Sequence, residues 1–186
     1  TDDFWNVRLP IDLATSSSRS PSLFAYNAAL VLLDVRALFS NQRISDLLDP
    51  SISSNRSLVE RHHLFPKEYL KIKGITSTRD TNQIANYAYL EWGDNVDIGG
   101  NAPSEYFPQI KERFSQGELD KMYHYHALPI QWENMEYRDF LEERRELIAQ
   151  VIAEGFKSLS FSPREIEAEK ELNIEQLVRD GESEAL

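Results

Sequence analysis

Four histidines carry the chemistry that can be read from this chain, and they come in two close sets, His62-His63 and His124-x-His126. Neighbouring residues on an extended strand project to opposite faces, so His62 and His63 cannot easily share one role. They can hold two roles at one site, with one imidazole ligating a cation and the other contacting a water just outside the coordination shell. The pair lies in Glu60-Arg61-His62-His63-Leu64-Phe65-Pro66, and asparagines follow at Asn86, Asn95 and Asn101. Amide carbonyls are hard, uncharged oxygen donors that suit Mg²⁺ or Mn²⁺ better than zinc. A cation to neutralise developing charge and a base to activate water are the parts that phosphodiester hydrolysis needs. His124 and His126 share a face only if extended, and the aromatics of Met122 to Pro129 favour that reading. Packing against tyrosines is the main expectation for this second set; a third metal ligand or a phosphate contact is the other.

Composition limits what surrounds these residues. A chain of 186 residues, 41% hydrophobic, can bury roughly 70% of its unfolded surface and needs no disulfide or metal to build a core. It has no cysteine, which removes thiol nucleophiles, disulfide scaffolds and Cys-ligated zinc. The longest apolar run, Ala28 to Leu33, is far short of the ~20 residues that span a bilayer. Thr1-Asp2-Asp3 reads as neither a signal peptide nor an initiating start. The expectation is a soluble, intracellular piece of a longer protein, with oligomeric state left open; the resemblance given below implies a prokaryotic cytoplasm. The net charge of −11 is uneven: residues 131–186 hold 15 acids against 7 bases, whereas residues 55–80 hold six bases against three acids. Exposed charges farther apart than about a Debye length (~8 Å) are largely screened, so an acidic protein can still grip a polyanion locally. Arg61, Lys67, Lys71, Lys73 and Arg79 are the candidate phosphate-contacting rim, able to position DNA without reading its sequence, with a solvated basic loop as the alternative.

The elements that must position the histidines are mostly helical. Ser20-Pro21 is a helix start, and apolar spacing from Leu23 to Phe39 predicts a buried helix over residues 21–39. A short helix is expected at Ile44 to Leu48, an extended piece at Leu58 to Leu64, and mixed loop and helix over residues 67–86. Tyr87 to Trp92 alternates bulk and reads as a second strand. Pro103 starts another short helix, with Asn101 as its expected cap. Met135 to Leu159 carries an apolar stripe from Phe140 to Phe156, and Ser162-Pro163-Arg164-Glu165 is a capping box for a last, acidic helix.

His-His-Leu-Phe-Pro, then Ile84-Ala-Asn86, Gly93-Asp-Asn95 and Asn101-Ala-Pro-Ser-Glu resemble the HNH (ββα-metal) nuclease motif. More narrowly, the chain resembles the C-terminal nuclease domain of GmrSD-type modification-dependent restriction proteins. Flanking pieces agree: Ala25-Tyr26-Asn-Ala-Ala-Leu30 and Leu38-Phe39-Ser40 before the motif, His126-Ala-Leu-Pro129 and Phe140-Leu-Glu-Glu-Arg-Arg145 after it. The resemblance spans roughly residues 4–160. It implies an α+β, mostly helical fold with a ββα-metal motif inserted in a helical scaffold. Residues 1–54 would be a helical segment packing on the nuclease core, 55–115 the core, 116–160 a further helical segment of the same domain, and 161–186 an acidic terminal helix and tail. It implies His63 as general base, His62 and Asn95 as ligands of Mg²⁺ or Mn²⁺, and Asn86 as the residue that braces the loop and orients the base. No late histidine stands near Gly99, so the implied site has two protein ligands. The implied activity is cutting or nicking of modified or phage DNA in restriction, with the target sensed by an N-terminal ParB-like NTPase domain. The alternative is a degenerate HNH-like module kept for interaction or dimerisation.

Overall fold

In the computed structural model the described residues are 1–49, 51, 59–91 and 98–160. They are mostly helical, with one two-stranded antiparallel sheet. A short π-helical turn, Phe4–Arg8, runs into α1 (Leu9–Asp12), and α2 follows at Pro21–Leu32. Ser20 caps α2 as expected, its Oγ accepting from the Ser22 N–H at 3.2 Å. The helix stops at Leu32, not at Phe39, because Asp34 takes a left-handed conformation (φ 52°). The Asp34 N–H then donates to the Val31 carbonyl and the Val35 N–H to the Leu30 carbonyl, at 3.1 and 2.9 Å. These two bonds form a Schellman ending, closed by the buried pair Leu30 and Val35.

The apolar residues beyond that ending remain core residues in a different shape. Val35, Ala37, Leu38 and Phe39 are buried, and Leu38 bridges in parallel to Leu90 of the sheet. After α3 (Ile44–Leu48), β1 (Val59–His63) pairs antiparallel with β2 (Tyr87–Glu91), with His62 opposite Ala88 and His63 opposite Tyr87. Between the strands lie α4 (Lys67–Ile72), α5 (Thr78–Thr81) and a 3₁₀ turn, Ile84–Asn86.

Three further helices follow: α6 (Pro103–Lys111), α7 (Gln116–Tyr125) and α8 (Tyr137–Ser160). Asn101 does not cap α6; Ala102 is its first flanking residue, and Glu105 Oε2 accepts from the Ala102 N–H at 3.3 Å. The aromatic heart of the core is Trp132, fully buried. Its ring centroid lies 5.1 Å from Phe107, 5.7 Å from Phe140 and 6.0 Å from Phe65. Phe65 also sits 4.7 Å from Phe140 and 5.3 Å from Tyr137. The residue two positions after His63 is therefore locked into the core, which gives the end of β1 a rigid backing.

Residues Thr1–Gly155 form one compact unit and Phe156–Leu186 a second. Within the first, α2 and α8 cross at Gly155, where a Cβ would lie 2.7 Å from the Ala29 Cβ. Only glycine permits that approach. In the second unit the described residues are the last turn of α8, where Phe156 and Leu159 are exposed. The expected burial of Phe156 is corrected accordingly. The expected capping box at Ser162 lies outside the described residues. No helix among the described residues is long and apolar enough to cross a membrane.

Candidate functional site

The antiparallel pair sends the two adjacent imidazoles to opposite faces, as strand geometry requires. His63 leaves on the face that carries Tyr87, Tyr89 and Arg61. Its ring stacks 4.4 Å from the Tyr87 ring, and the Arg61 guanidinium sits over the same tyrosine at 5.3 Å. His63 Nε2 lies 3.0 Å from Asn82 Oδ1. An amide oxygen can only accept, so Nε2 carries the hydrogen, and Nδ1 is left with its lone pair. Burial lowers the His63 pKa, partly offset by the Asn82 hydrogen bond, and the Lys67 and Arg61 charges lower it further. The ring is half-buried, neutral at neutral pH and held in one tautomer.

His62 is different in kind. Its Nε2 is buried and has no hydrogen-bond partner among the described residues. Burial, and then the neighbouring His63, push its pKa down to about 4, so the ring stays neutral. Leaving a buried polar atom unpaired costs about 1–3 kcal/mol, which is the kind of vacancy a ligand removes. An imidazole nitrogen is a common donor to divalent cations, and among the described residues no group of three or more His, Asp or Glu side chains gathers around it. Asn95, the second expected ligand, and Asp94 lie outside the described residues.

Asn86 stands behind both histidines and touches neither. It is fully buried. Its Oδ1 accepts from the Phe65 N–H at 2.8 Å, and its Nδ2 donates to the carbonyls of Phe65 and Thr81 at 3.1 and 3.0 Å. Its own carbonyl accepts from the Leu64 N–H at 2.8 Å. One side chain thus ties the end of β1 to the segment that carries Asn82. The side chain that hydrogen-bonds the His63 ring is Asn82, and Asn86 fixes the loop that holds Asn82. Both Nδ2 hydrogens are spent on the carbonyls of Phe65 and Thr81, so Asn86 has no donor left for an imidazole nitrogen.

Two further residues lock this arrangement. Tyr106 donates its O–H to the Leu64 carbonyl at 2.6 Å, pinning α6 to the end of β1. Arg144 is fully buried on α8. It donates to the Ala85 carbonyl at 2.7 Å and twice to the His126 carbonyl, at 3.0 and 3.2 Å. Sequence reasoning missed both Asn82 and Arg144. The length of the stretch between His63 and Asn86 was the available signal for the first. A buried arginine bound to carbonyls has none, since its spacing on α8 is that of the apolar stripe.

The basic rim is only partly gathered at the site. Arg61, Lys67, Lys71, Lys73 and Arg79 are all exposed. The charges of Arg61 and Lys67 act on His63, while no hydrogen bond or ion pair ties Lys71, Lys73 or Arg79 to either histidine. Lys73 instead places its Nζ over the Tyr69 ring at 5.7 Å.

The second histidine set corrects the sequence reading. Met122 to Tyr125 is helical, the end of α7, so the pair does not share an extended face. His124 lies at the surface with its Nε2 2.7 Å from Glu154 Oε2, and its ring sits edge-on to Tyr125 at 4.8 Å. His126 is buried and its Nε2 donates to the Arg36 carbonyl at 2.9 Å. The Nε2 of each ring is thus engaged in the fold. Compared with protein-family models, curated proteins and solved structures, the chain matches none.

Proposed function

We propose that the chain is a metal-dependent HNH-type DNA endonuclease or nickase domain. The observation that carries this reading is the contrast within one dipeptide: His63 has its Nε2 held by Asn82, which leaves Nδ1 as the ring's lone-pair nitrogen, while His62 keeps a buried Nε2 that has no partner among the described residues. The antiparallel pair β1 and β2, joined through α4, α5 and a 3₁₀ turn and followed by α6, suits the ββα arrangement implied by the resemblance. His63 Nδ1 takes a proton from the attacking water, and the Asn82 amide oxygen stabilises the imidazolium that forms. Arg61 and Lys67 attract the phosphodiester toward the His63 face. Asn86, Tyr106 and Arg144 hold the two loops still, so that no reorganisation is needed as the proton moves. When bound at His62 and Asn95, Mg²⁺ or Mn²⁺ would neutralise charge developing on the phosphoryl and leaving oxygens. Modified or phage DNA as target, and selection of that target by a ParB-like NTPase domain, follow from the resemblance to restriction proteins.

The test is cleavage of supercoiled plasmid by the chain with Mg²⁺, Mn²⁺ or EDTA, alongside His63→Ala. Metal-dependent conversion to open-circle or linear DNA that vanishes in the variant is the expected result. No cleavage with either metal at high protein concentration, alone and in the presence of a ParB-like NTPase half, would move the reading to an interaction module.

A further inference from the structure

The segment that supplies Asn82 also builds a cavity that the reaction above does not use. It opens between residues 74–83 and the first turns of α8 and measures about 340 Å³. Tyr137 closes one side, its O–H donating to the Asp80 and Thr81 carbonyls at 2.7 and 3.4 Å. Ile75 and Leu141 add apolar wall, and Asp80 is the one carboxylate among the lining residues. Arg138 and Arg145 also line the cavity. They are seven residues apart on α8, hence on one helix face about two turns from each other. Neither guanidinium makes a hydrogen bond or ion pair among the described residues, although Arg145 is half-buried. Burial lowers the Arg145 pKa, with the charges of Glu142 and Glu146 acting in the opposite direction, so the guanidinium is held partly out of water beside carboxylates that do not bond it.

Two guanidiniums along one wall and an apolar and aromatic surface behind them match a nucleotide: phosphates for the forks, base and sugar for the wall. The cavity is also coupled to the candidate centre. Asp80 lies two residues before Asn82, and the Thr81 carbonyl that accepts from Tyr137 also accepts from Asn86 Nδ2. We propose that this cavity holds one nucleotide of the strand that reaches His63, with its two flanking phosphates on Arg138 and Arg145. The identity of that strand as a substrate rests on the nuclease reading; occupancy of the cavity does not.

The test measures binding without cleavage. Fluorescence anisotropy with a labelled 20-nucleotide DNA, single-stranded and duplex, is followed in EDTA across a salt series. For Arg138→Ala combined with Arg145→Ala, affinity should fall at least tenfold, and the slope of log affinity against log salt should flatten by about 1.4–1.8, the share of two phosphates. Arg145→Lys should keep most of the slope, since the charge remains. Arg138→Glu, an exposed single change, covers the case in which the double variant fails to fold and should weaken binding by itself. Wild-type affinity and slope in the double variant, or a wild type that binds neither DNA, overturns the proposal. Plasmid cleavage separates the two readings: cutting by the wild type with unchanged binding in the double variant leaves the nuclease and removes the nucleotide site. Arginine-dependent binding without cutting, alone and in the presence of a ParB-like NTPase half, keeps the site and removes the nuclease.

Discussion

The two histidine sets have the same residue type at nearly the same spacing, and the fold uses them in opposite ways. His62 and His63 end a strand whose next residues, Leu64 and Phe65, are buried, so the backbone is rigid while the Nε2 of His62 has no partner among the described residues and that of His63 meets only the Asn82 side chain. His124 and His126 end a helix, and there the Nε2 of each ring is spent on the fold: a surface carboxylate for one, a buried carbonyl for the other. A histidine becomes available for chemistry where neighbouring groups satisfy the backbone and leave the ring alone. Asn86, Tyr106 and Arg144 do this around the first set.

That contrast can be broken most strongly at His63. On the proposed reaction, His63→Ala should lower cleavage by about 10²–10⁴-fold while the thermal unfolding midpoint stays within a few degrees of wild type. A comparable loss of stability would put His63 in the same class as His126. Asn86→Ala should act the other way, destabilising the protein by about 3 kcal/mol or more in denaturant unfolding, because the Phe65 N–H and two carbonyls lose their buried partner. Its activity loss should track the fraction unfolded.

His126 sharpens the comparison through pH. Its folded pKa is about 4, set chiefly by burial, against about 6.5 in the unfolded chain. The unfolded state therefore binds more protons between these values, and stability falls as pH drops through that window, with no further contribution below it. The expected loss is on the order of a few kcal/mol. His126→Gln, which can still donate to the Arg36 carbonyl, should flatten the difference in unfolding free energy between pH 7 and pH 4.5. Equal slopes in the two proteins would contradict burial as the cause.

Smaller effects are expected at the outer partners. Asn82→Ala should reduce cleavage about 10-fold by releasing the His63 tautomer, with little change in unfolding. His124→Ala breaks only a surface pair with Glu154 and should cost no more than about 1 kcal/mol in denaturant unfolding, less at high salt.

Much of the architecture was legible from periodicity and punctuation. Ser20-Pro21 marked the start of α2, the alternation at Tyr87 marked β2, and the apolar stripe from Phe140 to Ile152 marked the long α8. The His62-His63 pair stood out because two adjacent imidazoles on a strand have no packing reason to be there. The misreadings have one physical source. Apolar residues 35–39 fit helical spacing, yet a left-handed Asp34 ended the helix, and long-range pairing with Leu90 claimed Leu38. Likewise the aromatics of residues 122–129 satisfied a strand pattern while a Ser115–Glu118 capping box started a helix.

By itself the sequence determined the residue types on offer: four imidazoles, a run of asparagines, no thiol, and a local excess of bases in an acidic chain. Those are facts of composition and spacing, and they bound the possible chemistry. Only the tertiary structure decided which nitrogens stay free, that Asn82 rather than Asn86 faces His63, and that Arg144 rather than an apolar residue ties α8 to the site. Each depends on contacts between residues 18 to 59 positions apart, and local propensity carries no information about partners that only folding brings together.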